Sequence, residues 1–88
     1  MNLNTKKGKK VVTNLMNGVM LYNSWSTNPN LSDSARKYER ITWTAYMLLV
    51  KELMGIELVT YECALSCYEV YKHEVEYRIE LIKELVQE

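Results

Sequence analysis

Apolar residues recur at helical spacing along most of this chain, and three runs carry the pattern. In the first, Val11, Leu15, Tyr22 and Trp25 recur with Val12, Met16, Val19 and Met20 beside them, which predicts a helix over about residues 9–25. Gly18 falls on the same face. It weakens that helix by about 1 kcal/mol of propensity, but it also lets a second helix approach closely. The second run, about 31–54, has Asn30 or Ser32 as N-cap and Asp33 in its first turn. Gly55 stands where a left-handed residue closes a helix. The third run, about 60–86 with Thr60 as N-cap, has the stripe Tyr61, Ala64, Tyr68, Tyr71, Val75, Ile79, Ile82 and Val86. Its steps of three and four hold one face constant for about seven turns, and no Gly or Pro interrupts it.

The connections agree with this reading. Ser26-Thr27-Asn28-Pro29-Asn30 is a loop, because its polar side chains compete for backbone groups and Pro29 blocks continuation. Residues 1–8 have no periodicity and are expected to form a mobile basic tail, leaving 9–88 as a single helical domain. No segment alternates with period two, so strands are not expected. The expected fold is all-α: a small three-helix antiparallel bundle running up-down-up, completed by oligomerisation.

Oligomerisation enters because two helices have more apolar surface than one contact needs. The second helix carries Trp43, Met47, Val50 and Met54 opposite Ala45, Leu48 and Leu49. The third adds a flank of Cys63, Cys67, Val70, Leu81 and Leu85, with Leu65 on its other side. A helix apolar all round must be covered all round, and 88 residues offer little to do it with. Trp43, Met47, Val50, Met54, Cys67, Leu81 and Leu85 are therefore the expected interface of a homodimer.

Charge changes the picture by its distribution. The formal net charge is zero, yet residues 1–40 hold seven Lys and Arg against two acids, and residues 41–88 hold four against nine. An antiparallel third helix would bring Glu74, Glu76, Glu80 and Glu84 to Arg36, Lys37 and Arg40, cations that lie unfavourably near a helix N-terminus. The halves then neutralise each other, which argues against a dedicated polyanion binder. No apolar run approaches the roughly 20 residues that span a bilayer, and no secretory signal follows the basic start. A cytoplasmic protein away from membranes is the expectation.

Candidate chemistry is sparse. Cys63 and Cys67 share a helix face with His73 about 120° away, and zinc needs four convergent ligands, so no metal site or cofactor is expected. His73 lies among Glu69, Glu76 and Glu80 without a nucleophile at a useful spacing, so no catalytic residue is assigned. Seven tyrosines and no phenylalanine suit half-buried and interface positions. The expectation is a non-enzymatic protein-binding or regulatory protein, in its concrete form a phage or mobile-element inhibitor of a host enzyme or defence system. Its partner contacts would be Tyr68, Tyr71, Tyr77, Glu69, Glu76 and Glu80. The alternative is a small DNA-binding regulator that grips phosphates with Lys6, Lys7, Lys9, Lys10, Arg36, Lys37 and Arg40.

Overall fold

A computed structural model describes residues 4–22 and 30–87. The expected end of the first helix at Trp25 and the loop up to Pro29 lie outside the described residues, as do residues 1–3 of the expected tail. Among the described residues the chain is all-helical, with α1 at Lys6–Tyr22, α2 at Asp33–Met54, α3 at Tyr61–Val70 and α4 at Lys72–Gln87. No helix among them is long and apolar enough to cross a membrane.

Local chemistry sets the helix ends. The Thr5 hydroxyl accepts from the Gly8 N–H at 3.0 Å, which starts α1 at Lys6, inside the segment expected to be a tail. Ser32 is the N-cap of α2 and its hydroxyl accepts from the Ala35 N–H. Gly55 closes α2 in the left-handed region at φ 71°, its N–H donating to the Lys51 carbonyl. Thr60 precedes α3 as expected but makes no side-chain cap bond.

Helix α2 is the axis of the fold, packed by α1, α3 and α4. One core joins Val11 and Leu15 of α1, Ile41, Ala45, Leu49 and Val50 of α2, and Val75, Ile82 and Val86 of α4. A smaller one sets Trp43 and Met47 against Ala64 of α3, with Val19, Tyr22, Leu58 and Tyr61 around them. Both faces of α2 are thus covered by helices of the same chain, with α1 reaching both clusters. Thr42 and Thr44 are also buried there, and their hydroxyls donate to the carbonyls of Tyr38 and Arg40 one turn back, both at 2.8 Å.

The third helix departs most from expectation. It breaks at Tyr71, whose φ −120° and ψ 41° leave the helical region. A straight helix over 60–86 would run about 40 Å, against about 33 Å for α2, and would carry part of its stripe beyond any partner. Breaking at Tyr71 lets both halves lie on α2. Because Tyr68, Tyr71 and Val75 remain on the inner side, the stripe stays in phase through the break. The amides of Tyr71 and Val75 still bond to the carbonyls of Cys67 and Tyr71, each at 2.9 Å.

The break also reverses the expected direction. Lys37 meets Glu74 at 3.7 Å while Glu52 meets Lys83 at 3.1 Å, so α4 runs in the same sense as α2. Three antiparallel helices become four. The acids expected beside the start of α2 are correspondingly dispersed: Glu74 reaches Lys37, Glu76 accepts from Tyr68, and Glu80 lies 3.8 Å from Lys83.

Candidate functional site

The same-sense packing of α2 and α4 opens a groove of about 420 Å³ between their first turns. Ser34, Lys37, Tyr38 and Ile41 line it from α2, and His73, Glu74, Tyr77 and Arg78 from α4. Spacing explains the membership. Lys37 and Tyr38 each stand three or four residues from Ser34 and from Ile41, and Tyr77 and Arg78 follow Glu74 by three and four, so each set occupies one helix face. Buried Ile41 forms the floor, and Tyr38 and Tyr77 remain 47% and 64% exposed.

The cations of the groove lie on aromatic rings. The Arg78 guanidinium lies 4.3 Å from the Tyr38 ring centroid, and the Lys37 ammonium lies 5.0 Å from that of Tyr71. Lys37 is also ion-paired with Glu74. Beside the groove, the Tyr68 hydroxyl donates to Glu76 Oε1 at 2.7 Å, and this bond to a carboxylate raises the phenol above its ordinary value. Below the far end of α4, Tyr46 stacks on Tyr22 at 5.9 Å. Burial, and secondarily the neighbouring Tyr22 and Tyr38, push the Tyr46 phenol up.

Of the expected partner contacts, only Tyr77 opens into the groove. Tyr71 is half-buried beneath Lys37, and Tyr68 is half-buried with its hydroxyl engaged. Glu69, Glu76 and Glu80 are exposed outside the groove lining, with Glu76 and Glu80 already partnered. Tyr38 and Arg78 were missed. Their juxtaposition depends on the direction of α4, which a continuous antiparallel helix would have reversed.

Of the residues expected at a homodimer interface, four lie in the interior of the single chain. Trp43, Met47, Val50 and Cys67 are all buried within the single chain, Trp43 at 3% exposure, so none presents a face to a second copy. Met54 and Leu81 are half-buried. Leu85 alone is openly exposed, beside Leu21 on the rim of a smaller hollow of about 270 Å³. The break supplies a further covering helix.

The nucleic-acid candidates fall in two places. Lys6, Lys7, Lys9 and Lys10 are exposed on the first turns of α1, and Arg36, Lys37 and Arg40 stand near the start of α2, with Arg36 half-buried. Cys67 is buried while Cys63 is exposed, so the two thiols face different surroundings. Among the described residues no three His, Cys, Asp or Glu side chains are placed to hold a metal ion. No family model, curated protein or solved structure matches the chain.

Proposed function

We propose that this all-helical chain is a non-enzymatic protein-binding module that engages its partner through the groove between the starts of α2 and α4. The make-up of that groove carries the reading. Two exposed tyrosines and an arginine rim an apolar floor. Tyrosine and arginine are the residue types that dominate binding energy at protein interfaces, where a central apolar contact is ringed by polar groups. The lining is shared between two helices packed on one core, and Arg78 and Lys37 are held on the rings of Tyr38 and Tyr71 before a partner arrives. This preorganisation reduces the ordering cost of association.

Affinity capture from the source cells tests the reading. The tagged chain should retain a protein in stoichiometric amount, and Tyr77→Ala should lose it while keeping the native circular dichroism and melting transition. Recovery of nucleic acid alone, abolished by replacing Lys6, Lys7, Lys9 and Lys10, would overturn it in favour of the DNA-binding alternative.

A further inference from the structure

We infer that the groove between α2 and α4 recognises an acidic segment of a protein partner: an Asp or Glu side chain seated on Arg78, next to an aromatic or branched aliphatic side chain seated on the Tyr38 and Tyr77 rings beside Ile41. This rests on the protein-binding reading above and adds the chemistry of the partner.

The state of Arg78 leads to this assignment. Glu74 stands one turn before it on α4, the spacing and order in which an acid favours pairing with a following cation. Glu74 instead turns to Lys37. Among the described residues no carboxylate forms an ion pair with Arg78, which is held by the Tyr38 ring. The ring contact holds the guanidinium at one place, and with no ion-paired carboxylate among the described residues its N–H groups can donate to an acceptor. A fork held in advance loses little freedom on forming two parallel bonds to a carboxylate.

The remaining lining selects the class of anion. Lys37 and Arg78 stand against Glu74, so the Lys, Arg, Asp and Glu side chains of the groove carry an excess of one positive charge. That complements a carboxylate monoanion. A phosphate dianion would meet Glu74 at close quarters, and the second cation is already committed to that glutamate. The exposed rings of Tyr38 and Tyr77, beside buried Ile41, then offer apolar area next to the charge, which a free small carboxylate would leave uncovered. A peptide segment can satisfy both.

Selection of a random-peptide library on the folded full-length chain is the test. Enriched peptides should share an Asp or Glu adjacent to an aromatic or branched aliphatic residue. Changing that acid to its amide should weaken binding about tenfold or more. Arg78→Gln should erase the difference between acid and amide forms. Arg78→Lys, which keeps the charge but not the fork, should recover only part of it. Enriched peptides without acids that nevertheless lose binding in Tyr77→Ala would overturn the acidic assignment while sparing the docking groove. Peptides indifferent to both positions, or no enrichment at all, would overturn both. Chemical-shift changes at Arg78 saturating with submillimolar inorganic phosphate would assign the site to a free anion and overturn the peptide assignment.

Discussion

At the scale of single residues, the tyrosine-rich composition resolves into distinct roles. Tyr22 and Tyr46 stack, Tyr68 bonds to Glu76, and Tyr38 and Tyr71 carry Arg78 and Lys37 on their rings. Tyr61 packs on the smaller core, and Tyr77 remains open. Most of these roles use the ring as a flat surface with a polar rim, which a phenylalanine would supply only in part. Gly18 is the counterpart of this aromatic packing: a Cβ built there would run into the Tyr46 ring. Tyr46 is in turn held by its stack on Tyr22, so it has little room to yield. Adding a methyl group to a packed site costs about 1–3 kcal/mol, whereas Ala improves helix propensity over Gly by about 1 kcal/mol. Gly18→Ala should therefore lower stability by about 1 kcal/mol in urea denaturation. A rise in the unfolding midpoint would mean that α1 and α2 do not approach so closely there.

At the scale of elements, the break at Tyr71 makes a prediction that separates it from a continuous helix. At a helix start the first N–H groups lack an intrahelical acceptor. The amides of Lys72, His73 and Glu74, on exposed residues, should exchange with deuterium quickly, while those of Val75 through Ile82 are protected. Uniform protection from Ala64 through Ile82 would instead restore one long helix. The same segment illustrates how much of the fold could be read in advance. Helical class, the capping by Ser32 and Gly55, and the inward face Ala64, Tyr68, Tyr71, Val75, Ile82 and Val86 all follow from local spacing and local hydrogen bonding. The break does not, because it lacks the usual Gly or Pro and leaves the stripe in phase. It is imposed by the tertiary need to place both halves on α2. The groove was hidden for the same reason: Tyr77 could be singled out as a tyrosine on a polar arc, but its pairing with Tyr38 and Arg78 is a consequence of direction.

At the scale of the whole molecule, the question is whether one chain suffices. The sequence pattern called for a second copy because α2 is apolar in nearly every direction between Trp43 and Met54. From Trp43 to Val50 those residues are buried by α1, α3 and α4 of the same chain, apart from the half-buried Tyr46 and Leu48, and Leu53 and Met54 are half-buried. Near the ends of α1 and α4, Met20, Leu21 at 68% and Leu85 at 66% are exposed, the two leucines flanking a hollow, and Val59, Leu65 and Val70 are exposed before and along α3. A specific dimer buries about 600–1,000 Å² on each partner. The whole surface here is 5899 Å², so such an interface would claim at least a tenth of it. The Leu21 and Leu85 rim supplies only a fraction of that, and the exposed Met20, Val59, Leu65 and Val70 do not line the same hollow. Light scattering at micromolar concentration should thus return the single-chain mass of 10.4 kDa. Zero net charge at neutral pH gives little mutual repulsion, so weak, unspecific association at higher concentration is a separate effect that must be distinguished from a dimer. Leu85→Glu makes the distinction. A doubled mass abolished by that substitution would place a second copy on the Leu21 and Leu85 rim, a doubled mass that survives it would place the copy elsewhere, on surfaces such as the exposed Leu65 and Val70 of α3, and a single-chain mass throughout leaves the groove at the opposite end of α4 as the surface that looks outward for a partner.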